Sequence, residues 1–247
     1  MNLKKHSSMM DIIKNISEAE TEQIVKQLTE SVVKQGGGEY FIYSTLREDV
    51  QNQKTDLYHY FENCRSEWRK LYEDRKWFMN DPLVEYARSH TEPTVNSKII
   101  PRTRGQSEML NVVANHGFNS GIIIPTHTSL GANEWLGMLY VGSTADPVRG
   151  EQLFLSNRVV FRALGMELMD WWKGQFKKEA MRKFKIYDQD IKILQLLKNG
   201  NTVAEISAIM DVKASSLYRY IDNCKDKLNV LKTMDAVRKA KKYGLLG

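Results

Sequence analysis

The sequence predicts an α+β protein in two parts: an N-terminal α-β-α sandwich on a mainly antiparallel sheet, then four short helices with an abrupt turn between the second and third. Three observations carry that prediction. The runs YFIYSTL (40–46), GIIIP (121–125) and EWLGMLYVGS (134–143) read as strands set among helical patterns. Beyond residue 185 the periodicity is helical throughout. Charge divides the chain in the same place, since residues 173–247 hold 17 Lys and Arg against 8 Asp and Glu, while residues 1–172 hold 19 against 22. A basic tail-end part that meets a polyanion, joined to a mildly acidic part that does not, is the organisation this implies.

The elements follow in order. Helical periodicity covers roughly 9 to 35, and Gly36-Gly37-Gly38 breaks it. No GK[ST] follows these glycines, so they form a turn and not a phosphate cradle. SEWRKLYEDR (66–75) and DPLVEYARSH (81–90) are short helices, the second with Asp81 as its cap and Pro82 at an early helical position. EMLNVVANHG (108–117) is a helix ending on Gly117. GIIIP and EWLGMLYVGS are then two strands around a polar loop, 126–134. A long amphipathic helix, about 149–173, places Leu153, Phe154, Val160, Phe161, Leu164, Leu168 and Trp171 at intervals of three and four. The charged segment 174–185 has no clear stripe and reads as a linker, which divides the chain into 1–173, 174–185 and 186–247.

In the last part, Thr202 with Glu205 three residues later is a capping box, so a helix starts at Val203 and carries Ile206, Ile209 and Met210. Asp211-Val212-Lys213 is the turn. The next helix, from about Ala214, buries Leu217, Ile221, Cys224 and Leu228 and turns Ser215, Ser216, Tyr218, Arg219, Asp222 and Asn223 outward. A helix with Ile191, Leu194 and Leu197 precedes this pair, and one from Thr233 to Tyr243 follows it. Four short helices around one small core, with a tight turn between the second and third, make a helix-turn-helix domain. Its outward residues Ser215, Ser216, Tyr218, Arg219 and Asp222 are placed to read DNA base edges, and Lys213 and Lys225 to meet phosphates.

Composition and motifs limit the alternatives. At 247 residues, 42% hydrophobic and 27% charged, the chain is of ordinary globular type. The stretch MNLKKHSSMMDIIKNIS lacks a secretory apolar run and no window approaches a membrane span, so a cytoplasmic protein is expected. Cys64 and Cys224 stand far apart in no metal-ligand spacing, as two free thiols in a reducing compartment would. His6, His59, His90, His116 and His127 form no HExxH, and GxSxG and a P-loop are both lacking, so no enzyme, cofactor or metal site is expected.

The residues of the last part go beyond pattern. The spacing G-N-T-V-A-E-I, then V-K-A-S-S-L-Y-R-Y, N-C-K-D-K-L-N-V and A-V-R-K-A-K-K-Y-G-L-L resembles the C-terminal domain of LuxR-type transcription regulators. Two positions depart from that family: Asp190 stands where Glu is usual, and Lys213 where a capping Ser is usual. The N-terminal part is similar to the autoinducer-binding domain of the quorum-sensing members. Trp68 and Tyr72 lie four apart, Asp81-Pro82 follow at the family's distance, and GFNSGIIIP matches through Gly117, Gly121 and Pro125. The resemblance implies a receptor for an N-acyl homoserine lactone. Trp68 would donate to the lactone carbonyl, Asp81 would accept from the amide N–H, and Tyr72 and Ser143 would lie near the acyl carbonyl. It also implies double-stranded DNA, a small-molecule autoinducer and RNA polymerase as partners. One short recognition helix reads only a few base pairs, so a homodimer is expected. No apolar window of membrane length calls for a membrane.

Read by themselves, the same residues keep plainer readings. Trp68 and Tyr72 suit core packing, Asp81 an N-cap, Gly121 a close strand approach and Ser143 a strand end. Asn96 falls at or near a position where the family commonly has a second pocket Trp. Either the aromatic wall comes from elsewhere, with Trp77 and Trp135 as sources, or the ligand's head group is not a lactone.

Overall fold

A computed structural model describes residues 8–49, 54–64, 66–128 and 135–246 of the chain. It forms two compact units, the first reaching to Trp171 and the second covering Trp172–Gly247.

The first unit opens with α1 (Met9–Lys14) and α2 (Glu22–Gln35). The single helical run expected over 9–35 is thus two helices. Ser8 and Thr21 each cap one, accepting from Asp11 N and Ile24 N. Next come β1 (Tyr40–Asp49), β2 (Lys54–Glu62), α3 (Ser66–Asp74), α4 (Pro82–Ser89), β3 (Thr94–Val95), α5 (Arg104–Asn115), β4 (Ser120–Thr128) and β5 (Trp135–Ser143). The strands pair in the order β2-β1-β5-β4-β3, every pair antiparallel. Sequence pattern alone did not reveal β2 or β3. Residues 126–128 of the expected loop belong to β4, and 129–134 lie outside the described residues.

β5 shows how the sheet divides two layers. Leu136, Met138 and Tyr140 face a core that includes Trp68 of α3, Leu83 and Val84 of α4, and Met109 and Val113 of α5. The alternate positions face the other way: a Cβ at Gly137 would meet Met169, and Leu139 and Val141 neighbour Gly165 and Gly38. On that side lie α2, α6 (Pro147–Ser156) and α7 (Arg158–Phe184). The long helix expected over 149–173 is broken at Asn157, which caps α6 and whose side chain donates to Leu153 O at 3.1 Å. Residues 174–184 continue α7. The Trp171 indole donates to Ala19 O at 2.8 Å, fastening α7 to the stretch between α1 and α2.

The second unit holds α8 (Asp188–Lys198), α9 (Val203–Met210), α10 (Ala214–Lys227) and α11 (Thr233–Lys242). Leu194, Cys224, Leu228, Val237 and Ala240 form one core cluster, and Ile193, Ile206, Leu217 and Ile221 another. Asp190 joins α8 to α10. Its Oδ2 accepts from Tyr187 N at 2.8 Å and from Lys227 Nζ at 2.7 Å, and Cys224 Sγ lies 3.4 Å from its Oδ1. Burial pushes the Cys224 thiol up to about 12, with the neighbouring Asp190 acting in the same direction. Cys224 therefore stays a thiol and serves packing.

Asp190→Asn removes the charge that Lys227 faces in this nearly buried pair. A hydrogen bond to a charged group contributes about 1.5–3 kcal/mol, and a loss of that size is expected in the second unit. Amide exchange along α8 and α10 in the full chain measures it, and unchanged protection would show that the ion pair does not hold these helices.

Candidate functional site

A cavity of about 680 Å³ opens between the sheet and the α3–α5 layer, within the roughly 300–1,000 Å³ usual for small-molecule sites. Its apolar lining includes Ile42, Leu83, Val84, Met109, Val113 and Met138. Aromatic rings continue it. Trp68 lies 5.4 Å from Phe118 between ring centroids, and Phe118 lies 5.9 Å from Tyr140.

Polar groups converge on this cavity from separate elements. The periodicity of α3 puts Trp68 and Tyr72 on one face, as residues four apart must be. Asp81 is the N-cap of α4, with Pro82 at the first helical position; its Oδ1 accepts from Leu83 N at 2.7 Å and Val84 N at 3.4 Å. Its Oδ2 accepts from the Tyr72 hydroxyl at 2.7 Å. Burial raises the pKa of this carboxyl, while the Tyr72 and backbone donors pull it back down. Asp81 is therefore both the helix cap and a cavity wall residue, and the two readings of it are compatible.

Asn96 lies beside the cavity. Its Nδ2 donates to the Tyr140 hydroxyl at 3.0 Å, and its buried Oδ1 has no partner. A Cβ on Gly121 would come within 2.2 Å of the same hydroxyl, so Gly121 leaves room for Tyr140. Ser143 is elsewhere. Three residues beyond Tyr140 on β5, its side chain is on the opposite face and shares a 2.8 Å hydrogen bond with Ser120 beside α6. The expectation that Ser143 lies near the acyl carbonyl is corrected on this geometry. Trp77 packs against Trp68 with the rings tilted and 5.7 Å between centroids, and neither it nor Trp135 is among the cavity lining, so neither supplies the missing wall.

Most of the cavity lining was not foreseen, Ser44, Tyr60, Glu62, Arg69 and Glu73 among it. Ser44 of β1 is buried, and its hydroxyl has no partner. Tyr60, Glu62 and Glu73 form a polar rim with Arg69. The Tyr60 hydroxyl donates to Glu73 at 2.6 Å, Arg69 Nε donates to the same carboxylate at 3.2 Å, and Glu62 lies 4.0 Å from Arg69. Burial, reinforced by Glu73, pushes the Tyr60 phenol up to about 12, and burial raises Glu62. A small polar residue on an inward-facing strand position was the available signal for Ser44.

In the second unit, α9 begins with the Thr202–Glu205 capping box, each side chain bonded to the other's backbone N–H. Asp211 then turns the chain with φ 52°, and α10 follows Lys213 with no side-chain cap. Ser215, Tyr218, Arg219 and Asp222 are exposed on the face opposite Leu217 and Ile221, and Ser216 is half-buried at its flank. Lys225 pairs with Asp222 at 2.7 Å, so the carboxylate on this face carries its own counter-charge. Lys213 is exposed.

The pattern of the autoinducer binding domain matches residues 21–164, more than half of the chain, and that of the luxR family of bacterial regulatory proteins matches residues 188–240. The chain belongs to the LuxR family. The transcriptional activator protein LuxR of Aliivibrio fischeri is 22% identical over 249 residues, covering 97% of this chain and 95% of that one. Escherichia coli SdiA shares the fold with a TM-score of 0.63 at 17% identity over 97% of this chain and 98% of that chain. CepR2 of Burkholderia cenocepacia does so at 0.52 and 18% identity over 63% of this chain and 88% of that chain. A LuxR-family regulator binds DNA through its helix-turn-helix domain and a small-molecule autoinducer through its N-terminal domain. It is not an enzyme. Among the described residues, no helix is long and apolar enough to cross a membrane, and no three His, Cys, Asp or Glu side chains gather as metal ligands.

The raised pKa of Asp81 fixes a sign. An acid whose folded pKa exceeds its unfolded value contributes stability that is present below the unfolded pKa and lost as pH rises through the folded one. Asp81→Asn keeps a capping oxygen and removes that cost, so the ligand-free variant is expected to melt at or above the native temperature at pH 7, with the gain vanishing in acid. Melting curves from pH 3 to pH 7 measure it.

Proposed function

We propose that this LuxR-family regulator senses an N-acyl homoserine lactone in the α3–α5 cavity and couples its binding to operator recognition by α10. The supporting observation is the convergence of Trp68, Tyr72 and Asp81 on one largely apolar cavity. An amide taken out of water needs both a donor and an acceptor, and these side chains supply them. Asp81 accepts the ligand's amide N–H, and Trp68 donates to the lactone carbonyl. The acyl chain runs along Met109, Val113 and Met138. CepR2 is described as N-acylhomoserine lactone dependent, which is consistent with this choice.

A second reading rests on Asn96. It falls at or near a position where the family commonly has an aromatic, and SdiA is known in complex with octanoyl-rac-glycerol, an acyl ligand without a lactone. In this reading the cavity takes an acyl compound with another head group. Mass spectrometry of the small molecule extracted from protein expressed in its native host separates the two. An intact acyl homoserine lactone establishes the first, and an acyl compound lacking the lactone establishes the second.

The proposed organisation is a sensor at 1–173, a connection at 174–185 and a DNA-binding domain at 186–247, working in the cytoplasm. One recognition helix reads few base pairs, so a homodimer on two half-sites about 34 Å apart is proposed, with RNA polymerase as the protein partner. Ser215, Ser216, Tyr218, Arg219 and Asp222 face the bases; Lys213 and Lys225 face phosphates.

Arg219→Ala is expected to cost about 1–3 kcal/mol at the preferred operator and much less on random DNA. Titration of both DNAs at one salt concentration tests it, and equal losses reduce Arg219 to a phosphate contact. Asp81→Asn is expected to weaken ligand binding by about 1.5–3 kcal/mol. Unchanged affinity in calorimetry would leave Asp81 as a helix cap alone.

A further inference from the structure

We propose that Tyr140, held by Asn96, is the aromatic wall of the cavity's head-group end and the hydroxyl donor to a carbonyl oxygen of the ligand. The inference rests on the reading of the cavity as an acyl-amide site and identifies which residue completes it.

The geometry supplies the wall first. Tyr140 is 3% exposed and lines the cavity, and its ring continues the line of Trp68 and Phe118. Gly121 and Gly142, paired across β4 and β5, lie beneath it. A Cβ on Gly121 would meet the Tyr140 hydroxyl at 2.2 Å, and one on Gly142 would meet the ring at 2.9 Å. Two side-chain-free positions on adjacent strands are what let a ring of this size lie over the sheet. An indole at position 96 would compete with the phenol for the same space. The small Asn96 and the large Tyr140 are therefore one arrangement.

The hydroxyl supplies the donor. It accepts from Asn96 Nδ2 at 3.0 Å, which leaves its own proton without an acceptor among the described residues. Asn96 Oδ1 is also buried without a partner. A buried donor left unmade is costly, and a ligand carbonyl removes that cost. Burial raises the Tyr140 pKa, so the group is the protonated phenol at neutral pH. Neither of the other hydroxyls expected near the acyl carbonyl is available: Tyr72 donates to Asp81, and Ser143 faces away. Asn96 acts as a positioning residue, fixing the phenol's direction through its amide.

The test uses the full chain with two probes of equal chain length, an N-octanoyl homoserine lactone and N-octanoyl cyclopentylamine, which lacks the lactone carbonyl. Affinities are measured by calorimetry for native protein, Tyr140→Phe, Asn96→Leu and the double variant. Tyr140→Phe keeps the ring, so the wall should persist while affinity falls about tenfold. A loss with both probes assigns the acceptor as the amide carbonyl, and a loss with the lactone alone assigns the lactone carbonyl. Asn96→Leu should weaken binding less, and the double variant should be no worse than Tyr140→Phe, since positioning a hydroxyl that is absent changes nothing. Native affinity in Tyr140→Phe overturns the donor role. Additive losses in the double variant overturn the positioning role of Asn96. If neither probe binds the native protein, the acyl-amide reading itself is overturned and the proposal falls with it.

Discussion

The carboxylate of Asp81 terminates one helix, ties down another and lines the cavity, all with two oxygens. One oxygen satisfies backbone N–H groups at the start of α4, and the other receives the Tyr72 hydroxyl from α3. The helical layer over the sheet is thereby fixed at a polar point of the cavity wall. The arrangement works against solvation, because a buried carboxylate prefers to be neutral, and three donors from the protein offset only part of that preference. A ligand N–H would be a further donor of the same kind. Binding such an N–H and relieving a buried charge would then be a single event at one residue.

The second unit uses a similar device for a different end. Asp190 stands inside α8 with its charge answered by Lys227 of α10 and its remaining capacity by a backbone N–H. Here the carboxylate holds the recognition helix in place and leaves the outward face of α10 to other residues. Asp222 on that face is already paired with Lys225, so a DNA phosphate approaching it meets a neutral couple.

How much of this was legible in the sequence depended on the kind of periodicity involved. Helical spacing tolerates small errors of boundary, which is why α3, α4 and the four helices of the second unit could be read from Trp68 and Tyr72, Asp81-Pro82, and the Leu217–Ile221–Cys224–Leu228 stripe. Strand positions alternate every residue, and one step of parity exchanges cavity for far side. By that parity Ser143 faces Ser120 on the far side, and Tyr140, three residues before it, faces the cavity. β2 escaped notice because charged residues stand at both ends of KTDLYHYFE, and the two-residue β3 is too short to carry any pattern. The break between α6 and α7 was hidden because Phe154 and Phe161, seven apart, keep helical phase across Asn157. The pairing of Asn96 with Tyr140 spans 44 positions, a distance over which a single sequence gives no sign of contact.

The strand that carries Tyr60 and Glu62 has one neighbour, β1, and stands at an end of the sheet. Two residues of the polar rim are therefore carried by an edge strand, paired on one side alone. A substitution at Tyr60 or Glu62 therefore changes the wall of the cavity and an edge strand of the sheet together.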